Sequence, residues 1–119
     1  MQFSIMEVNK SSISNYGIIL PSIRGNAVLS IVKNPTIREA PSNLASIERY
    51  VLTPDIFDIL RKTKPGLAGE IQLTDAVNQQ AKNNAVEYVS IDSKRFDCGS
   101  LQGYLDAVSY MAKKMGYNF

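Results

Sequence analysis

The chain has 119 residues, 45% of them hydrophobic and 20% charged, which is enough for one domain, residues 1–119, with an ordinary core. A net charge of +2 is too small to argue for nucleic acid or an anionic membrane, and the sequence predicts neither a transmembrane helix nor a signal peptide. The absence of histidine and the single cysteine, Cys98, exclude a His base, a Ser-His-Asp triad, a His-ligated metal and an internal disulfide. They fit a reducing cytoplasm, and they leave oxygen ligands for any metal, which suits Mg²⁺ beside phosphates.

Phe3 to Val8 reads as a strand, with Phe3, Ile5 and Val8 set against Ser4 and Glu7. Residues 9–15 are polar and Ser-rich and are expected to form a loop. Tyr16 to Leu20 and Ala27 to Val32 are short apolar runs separated by the turn signal Gly25-Asn26, the pattern of a hairpin that Asn34-Pro35 ends. Residues 36–42 carry a loop with Pro41. Leu44 to Leu52 alternates well enough for a further strand, partly buried on both faces. Thr53-Pro54 is expected to cap a helix whose apolar face is Ile56, Phe57, Ile59 and Leu60.

A second helix is expected to open within Gly69-Glu70-Ile71-Gln72-Leu73-Thr74-Asp75-Ala76. Leu73, Ala76, Val77 and Ala81 recur at helical spacing, with Gln79, Gln80, Lys82 and Asn83 opposite. Glu70, Thr74 and Asp75 then fit ordinary capping and first-turn electrostatics. Val86 to Ile91 reads as a strand and Lys94 to Phe96 as a short one. Ser100 is the N-cap of a last helix with the stripe Leu101, Tyr104, Leu105, Val108, Met111, Ala112 and Met115. The order is a mixed α/β pattern. Neither GxGxxG nor GxxxxGKS stands at a strand-to-helix junction.

Five strings, in order, resemble bacterial UTP–glucose-1-phosphate uridylyltransferases (UDP-glucose pyrophosphorylases): Pro41-Ser42-Asn43-Leu44-Ala45, Arg49-Tyr50-Val51-Leu52-Thr53-Pro54, the GEIQLTDA stretch, Arg95-Phe96-Asp97-Cys98-Gly99 and Gly103-Tyr104-Leu105. The resemblance runs from about Ser4 to Met115 and covers the C-terminal half of a family protein. It implies the C-terminal part of a nucleotide-diphospho-sugar transferase, a Rossmann-like fold with a mixed sheet and flanking helices. It also implies UTP, UDP-glucose and glucose 1-phosphate as ligands of the complete enzyme, with Mg²⁺ as its cofactor.

By this resemblance Tyr16 and Gly17 lie beside the bound sugar, although a glycine at a strand start needs no such role. Residues 31–35 stand in the place of a Val-Glu-Lys-Pro motif whose Glu accepts from glucose hydroxyls and whose Lys pairs with phosphates. Lys33 and Asn34 replace that pair. Lysine accepts no hydrogen bond and asparagine carries no charge, so the change weakens both contacts. Strand alternation points Lys33 away from its neighbour's side. Glu48 stands where the family has glycine and adds negative charge beside the sugar pocket. Asp97 is the candidate Mg²⁺ ligand, or else a loop aspartate capping the last helix. Cys98 is expected to be a small buried residue rather than a nucleophile.

The family's glycine-rich phosphate loop, the lysine after it and its upstream metal-anchoring aspartate have no counterpart in the chain. Phosphoryl transfer depends on such positioning groups, so the chain alone is expected to be inactive. A non-catalytic folding or oligomerisation fragment of a split or decaying gene is the rival expectation, and one subunit of a two-chain enzyme, paired with a separate N-terminal half, is a third. A sheet cut from a larger unit should expose apolar surface, which predicts a homo-oligomer in the cytoplasm.

Overall fold

The computed structural model describes residues 1–118. Five strands form one mixed sheet: β1 (Gln2–Glu7), β2 (Gly17–Pro21), β3 (Val28–Lys33), β4 (Leu44–Val51) and β5 (Glu87–Ser90), in the order β3-β2-β4-β1-β5. β1 and β5 run parallel and the other pairs antiparallel, so the expected mixed sheet and the β2–β3 hairpin are both present. Three α-helices accompany them: α1 (Ile56–Lys62), α2 (Leu73–Lys82) and α3 (Leu101–Lys114).

Alternation along the strands decides which residues meet α2. Phe3, Ile5, Ile19, Val28 and Ile31 form one buried cluster with Val77 and Ala81 of α2 and with Val86. Asn78 of α2 treats the outer edge of β3 as a strand would. Its side-chain oxygen accepts from the Ile31 N–H at 2.7 Å, and its amide donates to the Ile31 carbonyl at 3.0 Å. The other edge is also occupied: Asn26 and Ala27, which lead into β3, meet β5 through the Tyr88 N–H to Asn26 carbonyl bond and the Ala27–Glu87 bridge.

The opposite face is covered in part. Ile18 and Ala45 pack on Ile13. Farther along, Val51 and Val89 are exposed opposite Gln2 and Ser4, which point away from the α2 side.

Local chemistry shifts several boundaries. The polar stretch expected to be a loop winds into a 3-10 helix, Lys10–Asn15, because Ile13 turns inward as its anchor. α1 begins after Thr53-Pro54, since those residues form a turn closed by the Ile56 N–H to Thr53 carbonyl bond. α2 begins at Leu73, within the expected Gly69–Ala76 stretch. Gly69 has φ 74 and Gln72 is extended, so the chain is not helical before Leu73, and no side chain caps the helix.

Gln80, expected on the wet side of α2, is 5% exposed and donates its amide to Asp55. That bond and one from the Thr53 hydroxyl hold the Asp55 carboxyl below its ordinary value of 3.8, the Thr53 contact having the larger effect. Lys94 to Phe96 forms no strand, and Cys98 is exposed rather than buried.

α3 starts where expected, with the Ser100 hydroxyl accepting from the Gly103 N–H at 3.0 Å. None of its residues is buried. Tyr110 rests on Phe96, ring centroids 5.4 Å apart, with the Lys94 ammonium over its ring. The molecule measures 51 × 29 × 29 Å with a radius of gyration of 16.3 Å. A compact chain of this length would have about 13.5 Å, and α3, ~21 Å long at 1.5 Å per residue, buries none of its residues.

Candidate active site

Gly17 opens β2 with Lys33 of β3 on one side and Ser46 of β4 on the other, so three strands deliver one rung of residues to the same place. Gly17 lacks a side chain where one would meet the Ile31 methyl at 3.1 Å, so part of its role is packing. Just before it, Tyr16 is half-buried; its N–H bonds to the Ile13 carbonyl and its carbonyl accepts from the Asn34 N–H at 3.0 Å.

The β1–β4 pairing slips between Phe3 and Ile5, leaving Ile47, Glu48 and Arg49 in a bulge. Glu48 stands there at φ 61, the left-handed region that favours glycine.

A cleft of about 460 Å³ lies over this rung, lined by Asn15, Tyr16, Gly17, Lys33, Asn34, Ser46, Glu48, Arg95 and Asp97. All five residues expected from sequence, Tyr16, Gly17, Lys33, Asn34 and Asp97, therefore share one cavity. Glu48 lines it too. Arg95 carried no assigned role in sequence, although its place two residues before Asp97 could have drawn attention to it.

Within the cleft the expected geometry of Lys33 changes. Asn34 lies outside β3 at φ 47, so strand alternation does not govern it, and both residues line the cavity. The Lys33 ammonium donates to the Gln72 side-chain oxygen at 2.8 Å, and the Asn34 amide donates to the Ser14 carbonyl at 3.0 Å. Arg95 donates to the Tyr16 hydroxyl at 3.0 Å, its guanidinium carbon 5.1 Å from the ring centroid.

Asp97 uses one carboxylate oxygen to accept from the Gly99 N–H at 3.0 Å, while its carbonyl accepts from the Ser100 hydroxyl at 3.2 Å. It does not itself cap α3; Ser100 does. Behind it, a side chain at Gly103 would approach the Asp97 carbonyl oxygen to 1.9 Å. Among the described residues, no three His, Cys, Asp or Glu side chains gather to hold a metal. Asp97 fits a metal as a single carboxylate with one oxygen free, the mode in which Mg²⁺ shares a protein carboxylate with phosphate and water. The one ion pair among the described residues, Arg61 with Asp58, lies on α1. Lys33, Glu48, Arg95 and Asp97 thus bring four charges to the cleft without pairing.

The sequence model of the nucleotidyl transferase family matches residues 1–114. A UTP–glucose-1-phosphate uridylyltransferase of Pseudomonas aeruginosa is 43% identical over 110 residues, covering 90% of this chain and 39% of the relative. The crystal structure of an apo UDP-glucose pyrophosphorylase superposes with a TM-score of 0.87 at 43% identity, over 96% of this chain and 43% of that one. A UDP-glucose pyrophosphorylase complexed with UDP-glucose gives 0.85 at 43% identity, over 95% and 44%. The chain spans about two fifths of the length of these relatives. With 114 of its residues matched and its sheet superposed, the chain belongs to the nucleotidyl transferase family, and within it resembles the UDP-glucose pyrophosphorylases.

Proposed function

We propose that the cleft is the sugar-phosphate side of a uridylyltransferase site, and that this chain corresponds to the part of such an enzyme that follows its glycine-rich phosphate loop. The observation that carries the reading is that Tyr16, Gly17, Lys33, Asn34 and Asp97, chosen from motifs scattered along the sequence, line one cavity. A relative of 43% identity is described as complexed with UDP-glucose, which supports the same ligand class here.

In the reaction so inferred, a phosphate oxygen of glucose 1-phosphate attacks the α-phosphorus of UTP in line. Pyrophosphate leaves and UDP-glucose forms, with no covalent enzyme intermediate. Tyr16 and Gly17 would border the sugar, and Asp97 would hold Mg²⁺, which offsets phosphate charge when bound. The remaining supports, a phosphate-cradling loop with its lysine and a second carboxylate, are not supplied by these residues. Each such preorganised contact is worth about 10²–10³ in rate, so the chain alone is expected to stay near the uncatalysed background.

Lys33 and Asn34 lower affinity further, since one ammonium is engaged by Gln72 and the other position has no charge. This favours, as a second reading, a chain that keeps the fold without the catalysis. Pyrophosphate release from UTP and glucose 1-phosphate with Mg²⁺, run on the chain alone and with a separately expressed glycine-rich half, decides between them. Turnover only in the mixture makes the chain a subunit. Turnover in neither makes it non-catalytic, and turnover by the chain alone, abolished by Asp97→Ala, would overturn both. The Lys33→Glu/Asn34→Lys double variant is expected to bind UDP-glucose about tenfold more tightly by calorimetry, the worth of one charge-assisted bond.

A further inference from the structure

Of the cations lining the cleft, Lys33 is committed to Gln72. Asn34, beside it, carries no charge and is held by the Ser14 carbonyl. Arg95 is different. One of its N–H groups goes to the Tyr16 hydroxyl, and no carboxylate among the described residues lies within ion-pair reach of it. A guanidinium has five N–H donors in a rigid fork that matches two oxygens of a phosphate, and it stays charged at every working pH.

Tyr16 is itself anchored, through backbone bonds to Ile13 and Asn34, just before the inner strand β2. Arg95 is therefore held by a rigid ring and hydroxyl while most of its fork is free. Such preorganisation lowers the entropy lost when a ligand is gripped.

We propose that Arg95 is the anion-holding group of the cleft, taking the phosphate of a sugar phosphate, with Tyr16 as its positioning residue. The proposal rests on the reading of the cleft given above. Glu48 and Asp97 line the same cavity and oppose a bare anion. The ligand favoured is one whose phosphate sits on Arg95 while its remaining surface offers hydroxyl donors to Glu48.

The test is amide chemical-shift titration of the full chain with glucose 1-phosphate and, separately, with neutral glucose, followed at Gly17, Asn34 and Ser46. The native chain should respond to glucose 1-phosphate at all three. Arg95→Gln should weaken that binding about tenfold to a hundredfold, the worth of a charge-assisted contact, and leave the response to glucose unchanged. Arg95→Lys keeps the charge without the fork and should fall between the two. Tyr16→Phe keeps the ring and should lose only about two- to fivefold, again for the phosphate ester alone. A merely structural role for Tyr16 would weaken both ligands together and lower the melting temperature.

If Arg95→Gln and Arg95→Lys both bind glucose 1-phosphate as the native chain does, the proposal fails while the cleft reading stands. If the native chain shows no response at these amides to glucose 1-phosphate, the cleft reading fails and the proposal with it.

Discussion

Glu48 shows how one residue can work against the backbone that carries it. At φ 61 a side chain crowds its own carbonyl, and glycine does not. Glu48→Gly is therefore expected to stabilise the fold by about 1 kcal/mol after the entropy of the added glycine is subtracted. That corresponds to a rise of roughly 4 °C in melting temperature, and a fall on calorimetric melting would mean that the bulge needs the side chain. Asp55 behaves in the opposite sense, because its neighbours favour its charge. Its folded value lies below the ordinary 3.8, so its contribution is complete above that value and lost as pH falls through the folded one. Melting curves between pH 5 and 2 should show the native chain losing stability below about pH 4 more steeply than Asp55→Asn does.

Among the elements, α2 has two jobs: Val77 and Ala81 close the core, and Asn78 completes the edge of β3. Asn78→Ala should cost about 2 kcal/mol, two hydrogen bonds at ~1 kcal/mol each, measured by urea denaturation; a change under about 0.5 kcal/mol would mean that water replaces the amide at no loss. Asn78 also marks where sequence patterns stop being informative. The strands β1 to β5 and the apolar stripe of α2 follow from period and turn signals, because burial imposes those periods directly. An amide that pairs with a strand 47 residues away leaves no local trace. The burial of Gln80 leaves no local trace either, since its partner Asp55 belongs to another element. α2 opens at Leu73, inside the expected Gly69–Ala76 stretch, because Ala68 at φ 59 and Gly69 at φ 74 turn the chain first. At the site, the family resemblance nominates Tyr16, Gly17, Lys33, Asn34 and Asp97, and the fold brings them to one cavity. The role of Arg95 was not legible, because it depends on a hydroxyl 79 residues away.

At the scale of the whole molecule, the route to self-association can be narrowed. Asn78 occupies one outer edge of the sheet, and the 26–28 segment occupies the other, so strand-to-strand addition is blocked at those points. What is left open is α3, where Leu101, Tyr104, Leu105, Val108, Met111 and Met115 are between 42% and 75% exposed, and the sheet face around Val51 and Val89. Apolar stripes of this kind rarely stay in water. Sedimentation at high micromolar concentration is expected to show a dimer or larger species that Leu105→Glu/Val108→Glu returns to monomer. A native monomer under those conditions, or an assembly indifferent to the double variant, would remove α3 from consideration.

The backbone of Asp97 packs so closely on Gly103 that no other residue fits there without moving the carbonyl. The first turn of α3 is thus the seat on which the cleft's carboxylate rests. A methyl group added at position 103, on a helix that lines no part of that cleft, would be felt as a displaced Asp97 on the far side of the contact.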